Sequence, residues 1–149
     1  MRALVQRVSE AAVDVHSGAG VERVGSIDHG LCVLLGVTHD DTEQDARRLA
    51  ERVAHLRVLD DADGVMNVSV IDAGESVLVV SQFTLYGDTT KGRRPSWIQA
   101  ARPEVAEPLV DAFTAELRKL GLVVATGRFR SDMRVHLVND GPVTVLVET

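Results

Sequence analysis

Short valine-rich runs, broken by glycine and aspartate, open the chain. Val5, Val8, Val13 and Val15 recur without helical spacing, so residues 1–15 predict a strand, bulged at Ser9-Glu10-Ala11. Ser17-Gly18-Ala19-Gly20 reads as a turn, residues 21–27 as a second strand, Asp28-His29-Gly30 as a turn and residues 31–37 as a third strand. Short runs between turns suggest an antiparallel meander. The period then changes. Ala46, Leu49, Ala50, Val53 and Leu56 fall at helical spacing behind an Asp40-Asp41-Thr42 cap, with Glu43 and Asp45 in the first turn. Arg47, Arg48, Glu51 and Arg52 cover the opposite face of this amphipathic helix. Asp60-Asp61-Ala62-Asp63-Gly64 is acidic but lacks the ligand spacing of a calcium loop, and reads as a solvated turn.

Residues 65–71 predict a short strand, Ala73-Gly74-Glu75 a turn, and residues 76–86 a longer strand. In that strand Ser81, Phe83 and Leu85 would face one way, and Gln82, Thr84 and Tyr86 the other. Residues 103–120 predict a second helix, with Leu109, Phe113, Leu117 and Leu120 on one face. It starts or kinks at Pro108 and stops at Gly121. Residues 122–126, 133–139 and 143–147 read as the last strands, the final two joined by a hairpin turn at Asn139-Asp140-Gly141-Pro142. The expected architecture is α+β: one domain over residues 1–149, a small, mostly antiparallel β-barrel or sheet with two covering helices.

Composition sharpens this picture. The chain has 149 residues, 45% of them hydrophobic, enough for one real core. Aromatics are only 3%, so aliphatic side chains must fill it. A net charge of −6 excludes a broad basic face for coating nucleic acid, though not a small basic mouth. No apolar stretch is long enough to span a bilayer, and a soluble cytoplasmic protein without membrane contact is expected. Cys32, the single cysteine, lies in an apolar run and reads as buried packing.

Most catalytic signatures are missing. There is no Gly-x-Ser-x-Gly elbow, no phosphate-binding Gly-Lys-Ser/Thr loop, and no Cys or His pair with zinc spacing, so neither metal nor cofactor is called for. The five histidines are scattered, and His136 reads as a surface residue alternating with Arg134 and Val138. Two segments stand out. In "SQFTLYGDTTKGRRPSW", hydroxyls and an amide end a core strand, and Lys91, Arg93 and Arg94 follow at once, suited to phosphates. Backbone N–H groups at such a strand end suit a developing oxyanion. The second segment is "NDGPVT", residues 139–144, whose Gly141–Pro142 bond admits either isomer.

These two motifs, with the opening "MRALVQRVSEAAVDV" and the closing "GRFRSDMRVHLVNDGPVT", closely resemble the D-aminoacyl-tRNA deacylases. The resemblance runs from Met1 nearly to the end. It implies a homodimer of small β-barrels that hydrolyses the ester between a D-amino acid and the tRNA 3′ end, and the mischarged glycyl ester as well. Ser81, Gln82, Phe83 and Thr84 match the motif lining the catalytic pocket. Gly141 and Pro142 match a cis pair that reaches in from the other subunit, its carbonyls holding the amino group and leaving no room for an L side chain. Arg7 matches a position bracing that pair. Met133, Asn139 and Thr144 are taken as supporting residues, and Lys91, Arg93 and Arg94 as the tRNA-phosphate contacts. Either Thr84 is the nucleophile, or the substrate's 2′-OH helps activate water while the Phe83 N–H steadies the oxyanion. No obvious base stands beside Thr84 in the sequence, which favours the second. The readings weighed against a deacylase are an RNA-binding barrel without activity, an interaction domain and a small-molecule esterase.

Overall fold

The computed structural model describes residues 1–18 and 20–149. The turn expected at 17–20 includes Ala19, which lies outside the described residues. Among the described residues, eight strands and three α-helices run in the order β1 (Arg2–Ser17), β2 (Gly20–Ile27), β3 (Gly30–Gly36), α1 (Glu43–Ala54), β4 (Arg57–Asp60), β5 (Met66–Ser69), α2 (Val70–Ala73), β6 (Ser76–Ser81), α3 (Pro103–Lys119), β7 (Val123–Thr126) and β8 (Asp132–Glu148). A short 3₁₀ turn, Phe83–Tyr86, follows β6. Among the described residues no helix is long and apolar enough to cross a membrane.

The long β1 organises the main sheet. Its residues 2–8 pair with β3 and its residues 11–17 with β2, both antiparallel. β8 runs antiparallel along the other edge. β2 and β3 therefore lie end to end beside β1 and do not form the expected three-strand meander. Next to β3 the sheet becomes parallel, with β6 against β3 and β7 against β6. Parallel neighbours need long crossovers. Here α1, the β4–β5 hairpin and α2 supply the first, and α3 the second. The fold is thus α+β with a mixed sheet, and both predicted helices are present. The four-residue α2 is an addition: the strand expected at 65–71 stops at Ser69, whose hydroxyl accepts from Asp72 N at 3.3 Å and starts the turn.

The path β2-β1-β3-β6-β7 nearly closes into a barrel. Its ends meet where β2 has Gly25, since a Cβ there would lie 2.8 Å from Thr126 O of β7. Strand alternation feeds two cores. Ala3, Val5, Leu31, Val33, Leu35, Val77 and Val79 pack beneath Leu49, Val53, Phe113 and Leu117 of the helices. Val8, Ala11, Val13, Cys32, Leu78 and Val80 fill the other face. β3 and β6 are buried on both faces, as their unbroken apolar runs require. In β1, Val8 pairs with Asn139 and Glu10 with Val138, which leaves Ser9 as an extra residue. This is the expected bulge, and it keeps Ala11 and Val13 on the face of Val8.

Thr42 caps α1 in a reciprocal box with Asp45. α3 begins at Pro103, runs through Pro108, and is followed by Gly121 at φ +96°. The 60–64 segment is a turn in which Asp61 Oδ1 accepts from the N–H groups of Asp63 and Val65 at 3.0 Å.

Candidate active site

β6 ends at Ser81, opposite Leu35 of the parallel β3. Gln82 N–H still donates to Leu35 O at 2.7 Å. β3 then stops, and the chain winds into the 3₁₀ turn, closed by Leu85 N to Gln82 O at 3.2 Å and Gly87 N to Thr84 O at 3.0 Å. The strand expected to reach residue 86 is therefore shorter, and the two-face alternation of residues 81–86 does not occur. Gly36 permits the turn, because a Cβ on it would lie 3.1 Å from both Gln82 O and Leu85 Cβ. As the first residue of the turn, Phe83 has no partner within it for its N–H.

A cavity of about 620 Å³ opens at this strand end. Ser81, Gln82 and Phe83 form one wall, with Leu35 and Val80 behind them. Ala106 and Val110 of α3 form another, and residues 129–133 close the third side. Ligands in sheets with parallel strands gather at the carboxyl ends, and this cavity lies there. Met133, named from the sequence, lines it. Phe129 and Arg130 also line it and were not singled out. No periodicity marks them, because they lie in the irregular run between β7 and β8. Arg130 adopts φ +56°, a left-handed backbone in a non-glycine residue, and such backbone clusters at functional sites.

Thr84 is exposed and does not line the cavity. Its Oγ1 accepts a short hydrogen bond from Gln82 Nε2. Among the described residues no carboxylate, imidazole or amine hydrogen-bonds to it. Cys32 is buried, and burial pushes its thiol up to about 11. His136 lies on the surface of β8, its Nε2 3.0 Å from Asp14 Oδ2. Among the described residues no group of three or more His, Cys, Asp or Glu is placed to hold a metal ion.

The basic loop leaves and rejoins the body at one antiparallel pair, Asp88 and Ser96, each N–H bonded to the other's carbonyl at 2.8 Å. Asp88 Oδ1 also accepts from Thr90 N–H at 2.9 Å and Thr90 Oγ1 at 2.7 Å, which holds its carboxyl below the usual range. Lys91, Arg93 and Arg94 are exposed on the loop, outside every ion pair of the described residues. Beside the neck stand Trp97 and Phe83, edge to face with ring centres 5.4 Å apart.

Gly141 and Pro142 belong to a separate cluster. The hairpin expected at 139–144 is absent, since β8 continues in one direction through both predicted strands. Thr144 pairs with Gln6 and Asn139 with Val8, so residues 140–143 loop out opposite Arg7 alone. A tight reversal would have removed half of β8 from its place along β1. The Gly141–Pro142 peptide is cis, and Gly141 has φ +124°. The neck of the loop is stapled, with Asn139 Nδ2 donating to Thr144 Oγ1 at 2.8 Å and Val143 N–H to Asn139 Oδ1 at 3.0 Å. Arg7, its side chain only 11% exposed, fills the space beneath. Its Nε donates to Asp140 O at 3.1 Å, and its Nη1 to Val58 O at 3.1 Å and Asp60 Oδ1 at 3.0 Å. A Cβ on Gly141 would lie 2.7 Å from Val143 Cγ2 and 3.1 Å from Arg7 Nη2. Gly141 and Pro142 are exposed and do not line the cavity of their own chain.

Residues 4–148 match the family model described as D-Tyr-tRNA(Tyr) deacylase. The chain belongs to this family. D-aminoacyl-tRNA deacylase of Brevibacillus brevis is 56% identical over 149 residues, covering 100% of both chains. D-aminoacyl-tRNA deacylase of Halalkalibacterium halodurans is 55% identical, covering 100% of this chain and 99% of its own. Among solved structures, "c-Myc DNA Unwinding Element Binding Protein" superposes with a TM-score of 0.90 at 38% identity, covering 100% of this chain and 99% of that one. A second, "Structural Analysis of a probable eukaryotic D-amino acid tRNA deacylase", has a TM-score of 0.84 at 18% identity over 99% of this chain and 98% of that one, a likeness of fold.

Proposed function

We propose that this protein hydrolyses the ester joining a D-amino acid to the 3′-terminal adenosine of tRNA, releasing free D-amino acid and tRNA, and that it removes mischarged glycine in the same way. The observation that carries the site is the cavity at the carboxyl ends of β3 and β6, walled by Ser81, Gln82 and Phe83. Family membership and full-length relatives at 55–56% identity support the reaction. Water attacks the ester carbonyl, the bond to the ribose 3′ oxygen breaks, and that oxygen takes up a proton. The Phe83 N–H, unpartnered within its turn, suits the oxyanion. The ribose 2′-OH helps activate the water. Thr84 lies outside the cavity without a base, which weighs against a nucleophilic hydroxyl.

Chirality is tested by exclusion. In this reading two chains pair about a two-fold axis, and the Gly141–Pro142 loop of each enters the cavity of the other. The loop is exposed and held rigid by Arg7, Asn139 and Thr144, while the cavity of its own chain lacks it. A wall against L side chains leaves the D side chain free to vary, so the enzyme accepts many D-amino acids and rejects their mirror images. Lys91, Arg93 and Arg94 receive tRNA phosphates, and the acidic remainder of the surface keeps the complex short-lived. No step uses a metal or cofactor, and the work belongs in the cytoplasm beside translation.

The test is release of tyrosine from matched D- and L-tyrosyl-tRNA, with and without chelator. Rapid release from the D ester alone, unchanged by chelator, supports the whole reading. Equal release from both esters removes the chiral wall, and inertness toward both by folded protein removes the activity.

A further inference from the structure

Aromatic residues are few in this chain, with one tryptophan, one tyrosine and three phenylalanines. Two of them are partly uncovered and in contact, Phe83, which lines the cavity, at 56% and Trp97, which packs against Phe83 from outside the lining, at 43%. Trp97 is held in a fixed pose. Beneath it lies Gly87, where a Cβ would come 2.6 Å from Trp97 Cζ3, so the indole rests directly on backbone. At its side the Phe83 ring stands at 73° to it. Behind both, the Asp88–Ser96 pair ties the two strands of the basic loop together. Phe83 lines the cavity, Trp97 packs on Phe83, and Trp97 directly follows the Ser96 neck of the loop bearing Lys91, Arg93 and Arg94.

We infer that Trp97 is a stacking platform for a nucleobase of the single-stranded tRNA 3′ end, the base next to the esterified adenosine. This deepens the proposed function and rests on the terminal adenosine entering the cavity. A single strand presents a flat apolar base and an anionic phosphate in each nucleotide, and proteins meet it with aromatic faces beside cationic grooves. An exposed indole at the neck of a loop whose three cations lie outside every ion pair of the described residues supplies both halves of that recognition. Gly87 has a matching role, because any side chain there would lift the ring off its seat. Ile98, 83% exposed beside Trp97, extends the apolar surface. Without this contact the ester would be placed by the cavity alone. With it, the preceding nucleotide is oriented before the ester arrives.

Trp97 is the single tryptophan, so its fluorescence reports on this contact without ambiguity. The ribotrinucleotide CCA should quench it saturably, and the same trinucleotide with an abasic sugar in the middle position should not. Trp97→Leu should raise KM for D-tyrosyl-tRNA about tenfold and leave kcat within about twofold, and Trp97→Phe should recover most of the loss. Gln82→Ala, assayed in parallel, reports on the cavity. If Gln82→Ala lowers kcat while Trp97→Leu behaves as wild type and CCA does not quench, the platform falls and the cavity reading stands. If neither variant changes the kinetics, both fall. Emission that shifts with protein concentration and not with CCA overturns the platform and assigns Phe83, Trp97 and Ile98 to contact with a second copy.

Discussion

A hydroxyl needs a base before it can attack an ester at neutral pH, and Thr84 has only an amide beside it. The Gln82 Nε2 donor stabilises the oxygen without taking its proton. Thr84→Ala is therefore expected to keep single-turnover hydrolysis of D-tyrosyl-tRNA within about tenfold of wild type, where loss of a true nucleophile costs orders of magnitude. Abolished chemistry with intact tRNA binding would return Thr84 to the mechanism. Cys32 offers a second residue-scale prediction. Burial raises its thiol to about 11, so at pH 8 the folded protein holds almost no thiolate. A thiol-specific chromogenic reagent should leave native protein unmodified and titrate one thiol after unfolding in urea. At this scale much was legible beforehand: Cys32 sits in an unbroken apolar run, and the polar residues of "SQFT" interrupt another. Arg130 and Trp97 were not, because their significance comes from what lies next to them in space.

The Gly141–Pro142 loop works as an element. Its base is clamped by Asn139 and Thr144, its underside by Arg7, and its tip contains a glycine at φ +124°. Alanine at Gly141 meets both a disfavoured backbone and contacts at 2.7 Å and 3.1 Å. Gly141→Ala should lose most activity on D-tyrosyl-tRNA while still unfolding in one cooperative melt, since the loop is exposed and the side chains that must give way, Val143 and Arg7, lie at its base. A collapsed melt would show that the loop is needed for folding instead. α1 gives an independent test. Thr42→Ala removes one half of the capping box and should cost about 1 kcal/mol in urea unfolding at pH 7. Hydrogen bonds from the Thr42 hydroxyl and N–H, with Arg48 nearby, hold the Asp45 carboxyl below its ordinary 3.8. A depressed carboxylate adds stability above its unfolded pKa and loses it as pH falls through the folded value. The wild-type advantage over the variant should therefore persist from pH 7 to about pH 4 and shrink below 3.8. α1 was readable in detail because a cap and a helical period are local properties. The loop was not: "NDGP" between two apolar runs has the chemistry of a hairpin, and only the demand that β8 stay along β1 makes it bulge instead.

At the scale of the whole molecule, each chain carries a cavity and a loop that do not meet within it. The proposed two-fold pair predicts complementation. Gln82→Ala damages the cavity and Gly141→Ala the loop, and each homodimer is expected to be weak. In a heterodimer of the two, one site collects both lesions and the other collects neither. After unfolding and refolding together in equal amounts, about a quarter of wild-type activity should return. No recovery, with heterodimers demonstrated by mass, would place loop and cavity in the same subunit or in different tasks.

The sequence by itself determined the local geometry. Apolar spacing marked both longer helices and most strands, though not the short β4, and the Ser9-Glu10-Ala11 stretch was recognisable as the bulge that keeps Val8, Ala11 and Val13 on one face. Motif order was enough to indicate the family. These features follow from periodicity and capping, which depend on near neighbours in the chain. The tertiary structure decided which strands meet. The β3-β6-β7 parallel patch, the single run of β8 and the early end of β6 all arise from pairing between distant segments. The cavity exists because β3 and β6 end together beneath α3, and Trp97 gains its seat because Gly87 lies under it. Burial of shared surface selects those partners, and residues paired across intervening elements leave no periodic trace of their pairing in the sequence.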